Sequence, residues 1–356
     1  MGVKPLIALI AIIIPNYNGE KTIGLCLKSI YKNPPDFPFE VIVVDDCSDD
    51  GSTEIIKKFP CRLIRLARRS GASRARNEGA RNASGEALFF IDADCLLTEN
   101  TLPAVLKAYR KHPDAITGGT YTPLPYDTDF FSTFQSIFIN YSEGVRPPAK
   151  GAVPHQDKPD YIATHAMLIG KEVFKKSSGF KEDFLPIIED VEFSHRLRRQ
   201  GVRLVMDTDI LVRHIFGFSL FKSLKNAFRK SLYWTVYSIG NKDLLRDSGT
   251  ASIGLKADVV SLFSCILLST LFALTGKSLY LSVLPIVSGV NLFINRRFLK
   301  ALLRNGGASF FIKALLYYMS LYPLTVGFGS LFGALKYFTS KALGLYAQPH
   351  KGVRSP

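Results

Sequence analysis

Three long apolar blocks near the carboxyl end of this 356-residue chain set the strongest limit on its fold. They run from Ala257 to Thr275, from Leu279 to Asn295 and from about Ala314 to Leu335. A helix needs roughly 17 to 25 apolar residues to cross a bilayer, so the first and third blocks are long enough and the second is borderline. We therefore predict transmembrane helices within residues 257–340; a buried helical bundle in a soluble protein is the alternative.

Charges around these blocks predict their orientation. Residues 276–278 leave room only for a tight turn, so the first two blocks should form a hairpin. The segment 296–313 carries basic residues and no acidic one, which is typical of a cytoplasmic loop. A complete third crossing would put the basic tail, residues 341–356, outside. The chain could instead bend back within the third block, at Pro323, Gly327 and Gly329.

Residues 216–256 precede the apolar blocks and have a different pattern. From Phe216 to Ile239, apolar and aromatic side chains at helical spacing leave a basic face formed by Lys222, Lys225, Arg229 and Lys230. Such a helix can lie in the membrane interface, although an amphipathic helix packed on a core has the same pattern. We expect interface helices and a linker here.

The chain has 45 Lys and Arg against 30 Asp and Glu, a balance that suits anionic partners. It has no zinc-finger spacing, no RNP-like stretch and no basic helix with dimer heptads, so we expect the lipid bilayer as a partner and no nucleic acid. The five cysteines have no C-x-x-C spacing, which argues against a disulfide framework or a zinc site and fits a reducing cytoplasm.

The first 120 residues alternate between apolar, β-branched runs and polar helical stretches, which is typical of a parallel sheet wrapped by helices. The predicted strands are 8–15, 39–45, 62–66 and 87–91, and the predicted helices are 21–31, 52–59 and 73–83. The run from Leu6 to Ile14 belongs to the first strand, because a signal peptide would have more basic residues before it and a cleavage site after it. Open α/β sheets bind ligands at the carboxyl ends of their strands.

Beyond residue 120 the pattern is irregular. From about Tyr121 to Tyr161, Pro and Asp interrupt aromatic runs, which indicates an acceptor-side insertion or a loop region. Further along we predict a strand at 161–170, a helix at 190–199 and short strands at 202–205 and 210–213. These elements complete a predicted α/β catalytic domain of residues 1–215.

Carboxylates follow two of the predicted strands. Asp92 and Asp94 come directly after 87–91, and residues i and i+2 of an extended chain point the same way. Two such side chains suit a hard divalent cation, Mg²⁺ or Mn²⁺, that could bridge a diphosphate; a solvated turn is the alternative. Asp46 follows 39–45 and could accept hydrogen bonds from a base or a ribose, or cap the helix that begins at Ser52.

Four motifs occur in a specific order: Ile14–Asn18, Val43–Ser52, Gly71–Asn77 and Phe90–Asp94. Together they closely resemble the motifs of family 2 glycosyltransferases, which have the GT-A fold, a Rossmann-like mixed α/β sheet. The resemblance covers about residues 10–214. It implies a nucleotide-sugar donor whose pocket is lined by Pro15, Tyr17, Asn18 and Glu20.

The same resemblance implies roles for the other motif residues. Asp46 would meet the base, and Arg74 or Arg76 would approach the base or a phosphate, as suits an arginine fork. Asp94 would be the main metal ligand, with Asp92 near the ribose and the metal. His214 stands where many relatives carry a His near the metal or diphosphate, although a lone His is more often structural.

A fifth segment, Pro186–Phe193, resembles the family's Glu-Asp motif, whose Asp acts as the base. An acceptor hydroxyl must lose a proton as it attacks the anomeric carbon, and a carboxylate within reach can take it. We therefore expect Asp190, with Glu189 beside it, to serve a single inverting displacement. Both acids would also be favourable at the start of a helix.

Two features narrow the predicted reaction. Processive synthases of the family have a Gln-x-x-Arg-Trp motif after the base, but His195–Gly201 does not match it, so transfer of a single sugar is expected. A base is needed for a hydroxyl acceptor and not for an ionised phosphate, which favours a membrane lipid or glycan hydroxyl at the cytoplasmic face of the inner membrane. The alternatives are a polyprenyl-phosphate glycosyltransferase and a non-catalytic membrane scaffold with a transferase-like domain.

Overall fold

The computed structural model describes residues 9–144, 159–183 and 187–343. The chain divides into two compact units. The N-terminal unit comprises Met1–Leu185 and Glu189–Gly217, and the C-terminal unit comprises Pro186–Ile188 and Phe218–Pro356.

An eight-stranded mixed sheet forms the frame of the N-terminal unit. Its strands are β1 (Ile10–Asn16), β2 (Phe39–Asp45), β3 (Arg62–Arg65), β4 (Ala87–Ile91), β5 (Cys95–Leu97), β6 (Ile116–Tyr121), β7 (Ala166–Gly170) and β8 (Leu204–His214). They lie in the order β3-β2-β1-β4-β7-β6-β8-β5. Strands β1 to β4 run parallel, whereas β7 is antiparallel to β4 and β6. The four strands predicted in the first 120 residues are confirmed.

Helices cover both faces of this sheet. They are α1 (Ile23–Lys32), α2 (Ser52–Ile56), α3 (Ala72–Asn82), α4 (Thr101–Lys111), α5 (Phe130–Ile139), α6 (Lys171–Lys176) and α7 (Glu189–Arg199), with a π-helical turn at Asn140–Gly144. Side chains of β1 alternate between the two faces, so Ile10, Ile12 and Ile14 enter one apolar core and Ala11 and Ile13 enter the other. Burial on both sides explains the uninterrupted apolar run.

The predicted loop region after residue 120 is wrong in part. Phe130–Ile139 is helix α5, because Asp129 accepts a hydrogen bond from the backbone of Ser132 and so caps the helix. Residues 145–158 of that region lie outside the described residues. The two short strands predicted at 202–205 and 210–213 are a single strand, β8, whose pairing with β6 shifts register between Gly118 and Thr120.

The described residues of the C-terminal unit form the helices α8 (Leu220–Asn241), α9 (Ile253–Thr275), α10 (Leu279–Met319) and α11 (Leu321–Ala342). The predicted loop at 296–313 is wrong, because α10 continues until Gly307 interrupts it at φ 77°. Residues 290–305 contain neither Gly nor Pro and are rich in strong helix formers. Pro323 does not bend the chain back, since it lies in the first turn of α11, where proline is tolerated.

Small residues let α8 and α11 approach closely. A Cβ atom on Gly329 would overlap Ser231 Oγ and lie 2.6 Å from the carbonyl oxygen of Phe228. One on Gly333 would lie 2.5 Å from the carbonyl oxygen of Leu232. Glycines four residues apart share one helix face, and this spacing is a common contact between membrane helices.

Two stretches of the described residues are long and apolar enough to cross a membrane, Ile253–Thr275 and Leu279–Ala342. Only 11% of the apolar window in each is buried within the protein. A core helix of a soluble protein would bury its apolar face, yet here large side chains such as Leu274 and Ile286 are 77% and 65% exposed. Length, composition and exposure therefore suggest membrane association.

Candidate active site

A cavity of about 700 Å³ lies at the carboxyl ends of β1, β2 and β4. Because β1 lies between the other two strands, the loops that follow all three meet there. The predicted site residues that line it are Pro15, Tyr17, Asn18, Glu20, Asp46, Arg76, Asp92 and Asp94. Arg74, Glu189, Asp190 and His214 are not among its described lining residues.

Hydrogen bonds join the loops that follow β1 and β2. The amide of the buried Asn16 donates to Asp45 Oδ1 at 2.9 Å and to Ser52 Oγ at 3.1 Å. Asn18 has a positive φ of 49°, and its backbone N–H donates to Ser48 Oγ at 2.9 Å. These contacts hold the Pro15–Asn18 turn in one conformation at the cavity wall.

Asp46 uses both carboxylate oxygens to hold the start of α3. Its Oδ1 accepts the N–H of Ser70 at 2.6 Å, and its Oδ2 accepts the N–H of Gly71 at 2.8 Å. Gly71 has φ 91°, a conformation that favours glycine. The structure thus gives Asp46 a positioning role, while its contact with a donor base stays a prediction.

Arg76 is buried between two carboxylates from distant parts of the chain. Its Nη2 lies 2.7 Å from Asp92 Oδ1, and its Nη1 lies 2.9 Å from Glu189 Oε1. Burial by itself would raise the pKa of Asp92, but the charge and the hydrogen bond of Arg76 outweigh it, so this pKa is lowered. Arg74, by contrast, is half exposed and pairs with Glu182 at 2.8 Å.

Asp94 lies beside His214, with 3.3 Å between its Oδ1 and the Nε2 of the histidine. Desolvation raises the pKa of Asp94; His214 acts against this rise and the negative charge of Asp92 adds to it. The His214 ring stacks on Phe216 with 4.0 Å between ring centroids.

These side chains fit a divalent cation. Ligand atoms of Asp94, Cys95 and His214 lie within 4.8 Å of one another. Carboxylate oxygens and imidazole are acceptable ligands for Mn²⁺, and carboxylates suit Mg²⁺. Burial raises the pKa of the Cys95 thiol well above its usual value, so this group stays protonated and is a poor partner for a hard cation. Asp94 and His214 are thus the better ligands of this group, and a contribution from Asp92 stays a prediction.

Asp127 holds the segment that closes one side of the cavity, a role that sequence reasoning missed. Its carboxylate accepts the N–H groups of Phe216 at 2.9 Å and Gly217 at 2.8 Å. Burial would raise the pKa of Asp127, but these bonds and one from Ser132 outweigh it and lower the pKa. Ile215 and Phe216 line the cavity. Asp127 stands in a polar turn that has no distinguishing pattern.

The two acids of the Glu-Asp motif have different surroundings. Both stand in the first turn of α7, where acids are favourable. Glu189 is engaged by Arg76, whereas the side chain of Asp190 accepts the N–H of Val191 at 2.8 Å. Ile187, just before them, has φ 65°, an unusual value for a β-branched residue. Pro186 of the motif lies outside the described residues.

A second buried histidine near the carboxylates was also missed. His165 stacks against Tyr121 with 4.1 Å between ring centroids, and its Nε2 is 3.5 Å from Glu143 Oε2. Burial raises the pKa of Asp92 and Arg76 lowers it; the charge of His165 lowers it further, by a smaller amount. A single His in a strand-like segment carries no signal that separates it from a core residue.

Comparisons with known proteins agree with this architecture. Residues 11–176 match the family model described as glycosyl transferase family 2. Over 185 residues the chain is 25% identical to the uncharacterized glycosyltransferase YfnE of Bacillus subtilis (strain 168). The aligned region covers 51% of this chain and 46% of YfnE. Over 100 residues it is 39% identical to poly(ribitol-phosphate) beta-N-acetylglucosaminyltransferase TarS of Staphylococcus aureus (strain Mu50), covering 26% of this chain and 17% of TarS.

The chain therefore spans less than half the length of these two curated relatives. Among solved structures, it matches the mannosyltransferase PcManGT from Pyrobaculum calidifontis in complex with GDP-Man and Mn²⁺. The TM-score is 0.54 at 17% identity, over 93% of this chain and 87% of that one. The predicted GT-A fold is confirmed.

Proposed function

We propose that this chain, whose residues 11–176 match the model of glycosyl transferase family 2, moves one sugar from a nucleotide-sugar to a hydroxyl group of a membrane lipid or glycan. One observation carries the proposal. Asp92 and Asp94 stand at the wall of the strand-end cavity, and Arg76 ties Asp92 to the helix that begins with Glu189 and Asp190. The residues that would bind the donor and the base that would activate the acceptor thus belong to one connected site.

The cavity suits a nucleotide-sugar donor. Its volume lies within the range of roughly 300 to 1,000 Å³ that is usual for ligand sites. Pro15, Tyr17, Asn18 and Glu20 come from the turn that hydrogen bonds hold in place, and Asp46 lies beside this turn, where its N–H donates to the carbonyl oxygen of Asn16 at 2.8 Å. We assign the nucleoside part of the donor to this side of the cavity.

The diphosphate of the donor belongs near Asp92 and Asp94. These two residues, with His214, would hold a Mg²⁺ or Mn²⁺ ion, which when bound stabilises the negative charge of the leaving diphosphate. The protein's own contribution is to hold the carboxylates apart and oriented. Arg76 does this for Asp92.

Asp190 is the group we assign as base. The acceptor oxygen attacks the anomeric carbon and its proton passes to the Asp190 carboxylate. The bond from that carbon to the donor phosphate oxygen breaks, and the configuration inverts in a single displacement. Glu189 is less suited to this task, because its carboxylate is already paired with Arg76 at 2.9 Å.

The C-terminal unit supports a place in the cytoplasmic membrane, with several spans and the catalytic unit on the cytoplasmic side. After residue 217 the sequence has 17 basic residues and only 3 acidic ones, the last of which is Asp258. Basic segments beside membrane helices favour the cytoplasmic side. On α8, the exposed Lys225 and Arg229 share a side of the helix, and Phe221 is 73% exposed, a combination that suits a membrane interface.

The first experiment uses the full chain in detergent with a panel of UDP-, GDP- and dTDP-sugars, a membrane lipid extract and Mn²⁺ or Mg²⁺. Sugar incorporated into lipid and donor affinity are measured separately. We expect Asp190→Asn to lower transfer by about 100-fold or more while donor affinity stays within about twofold, because general-base catalysis is typically worth 10² to 10⁴. Asp209→Asn is the matched control, since its side chain is 68% exposed.

Each other outcome selects a different function. Transfer that survives Asp190→Asn would indicate a phosphate acceptor that is already ionised, as in a polyprenyl-phosphate glycosyltransferase. Donor binding without transfer for every donor and acceptor would indicate a non-catalytic membrane scaffold.

A further inference from the structure

Arg76 is the buried centre of two ion pairs in the described part of the N-terminal unit. The residue is 3% exposed, and it belongs to α3. Its two carboxylate partners come from the end of β4 and the start of α7, 16 and 113 residues away along the chain. Two consecutive elements, α3 and β4, are therefore joined to the distant helix α7 by a single guanidinium group.

The two ion pairs of Arg76 commit one N–H group of each terminal nitrogen to a carboxylate. Each terminal nitrogen already donates to a carboxylate oxygen, Nη2 to Asp92 and Nη1 to Glu189. An arginine that binds phosphate commonly presents both of these nitrogens to the same anion. Here the fork is divided between two anions, which fixes the separation between them.

We propose that Arg76 is a positioning residue that holds the start of α7, and with it Asp190, in a fixed position relative to Asp92. This inference rests on the proposed function, because it assigns Asp190 to the acceptor and Asp92 to the donor. Arg76 touches neither substrate in this scheme and acts through Glu189.

Helix α3, which carries Arg76, is held rigidly enough for this role. Helix α3 lies directly on β1 and β2, since a Cβ on Gly79 would overlap Ile13 Cγ2 and lie 3.3 Å from Val44 Cγ2. The two residues just before it, Ser70 and Gly71, are held by the hydrogen bonds that Asp46 accepts. A side chain that projects from such a helix can impose its position on what it binds.

The start of α7 needs an external contact of this kind. Ile187, two residues before Glu189, has φ 65°. Such a backbone costs about 1 to 3 kcal/mol and persists only where the surrounding structure imposes it. Loss of the bond to Glu189 removes one of these constraints, and a shift of about 1 Å in a reacting group can cost on the order of 100-fold in rate.

The test compares Arg76→Gln, Arg76→Lys, Glu189→Gln and the double variant Arg76→Gln/Glu189→Gln in the full chain. Arg81→Gln is the matched control, because Arg81 is on the same helix but is half exposed and pairs only with Glu78. Three quantities are measured: kcat, donor Kd without acceptor, and amide hydrogen exchange across residues 189–193.

We expect Arg76→Gln to lower kcat about 100-fold, to leave donor Kd within about threefold and to speed exchange at the start of α7. Glu189→Gln should show the same loss of kcat, and the double variant should be no worse than Arg76→Gln, because Arg76→Gln already removes the contact with Glu189 as well as the one with Asp92. Arg76→Lys should retain an intermediate kcat, since an ammonium group cannot fork between two anions.

Two results would overturn the proposal. A rise in donor Kd of about tenfold or more with kcat unchanged would make Arg76 a donor ligand. Additive losses in the double variant would show that Arg76 and Glu189 act separately. If the wild-type chain transfers no sugar at all, the proposed function fails, but hydrogen exchange in Arg76→Gln and Glu189→Gln still tests whether Arg76 holds α7.

Discussion

Asp127→Asn should weaken donor binding, because it releases the segment that closes one side of the cavity. The carboxylate of Asp127 accepts two backbone N–H groups, from Phe216 and Gly217. An asparagine side chain has a single carbonyl oxygen, and its NH₂ group would face an N–H donor. One of the two bonds is therefore lost, and Ile215 and Phe216, which line the cavity, are held less firmly.

The size of the effect follows from the bond that is lost. A hydrogen bond to a charged group contributes about 1.5 to 3 kcal/mol, and the partial exposure of Asp127 favours the lower end. A loss of about 1.4 kcal/mol is a factor of ten in affinity. Ile215 also donates to the carbonyl oxygen of Asp94 at 2.8 Å, so part of the segment stays anchored. We expect donor Kd to rise by about 3- to 10-fold.

Isothermal titration with the nucleotide-sugar that the panel identifies would measure this change. Asp129→Asn is the matched control: Asp129 caps α5 two residues further along, and asparagine caps a helix about as well as aspartate. Equal losses in the two variants, or a donor Kd for Asp127→Asn within about twofold of wild type, would refute the role of Asp127.

The same contact has a pH signature. The pKa of Asp127 is lower in the folded protein than its value of about 3.9 in the unfolded chain. The stabilisation that the ionised carboxylate provides is therefore complete at pH above about 3.9, and it is lost as pH falls through the folded pKa. The ratio of donor Kd between Asp127→Asn and the wild type should therefore fall towards one only at pH below about 4.

Two further predictions concern the metal and the helices. Asp94→Ala, or removal of divalent cations with EDTA, should lower transfer at least about 100-fold, and Mn²⁺ or Mg²⁺ should restore the EDTA-treated wild type but not the variant, as measured by sugar incorporation. Gly329→Ala should destabilise the chain in detergent by about 1 to 3 kcal/mol, because its Cβ would meet Ser231 and Phe228 of α8. Gly289→Ala should be neutral or slightly stabilising, since nothing lies within 4 Å of that position; equal melting temperatures for the two variants would contradict the close packing.

The strands that carry the site were predictable because the sheet buries both of their faces. In β1 and β4 every residue from Ile10 to Ile14 and from Ala87 to Ile91 is buried, so each strand shows as an uninterrupted apolar run. Strand β6 was missed because Thr, Gly and Tyr at 117–121 resemble a turn. Its Gly119 is instead required by packing, since a Cβ there would overlap the Ile210 backbone.

The helices of the C-terminal unit show a different limit. Apolar content alone marked the second block as ending at Asn295, but a helix continues as long as its residues favour it, and α10 runs on through basic residues to Gly307. The third block was treated as one element, although Ser320, with φ −130° and ψ −85°, divides it between α10 and α11. Apolar composition predicts the environment of a segment, whereas backbone breaks depend on individual residues.

Local sequence patterns likewise predict some residues of the candidate site and not others. Asp92 and Asp94 were predictable because they follow a buried strand, and the strand itself places them. Arg76 and Asp127 act through partners 113 and about 90 residues away, and no local pattern records such contacts. The groups that we assign to the donor are thus visible in the sequence, while the groups that hold them in place require the fold, and variants of Arg76 and Asp127 should therefore separate positioning from chemistry.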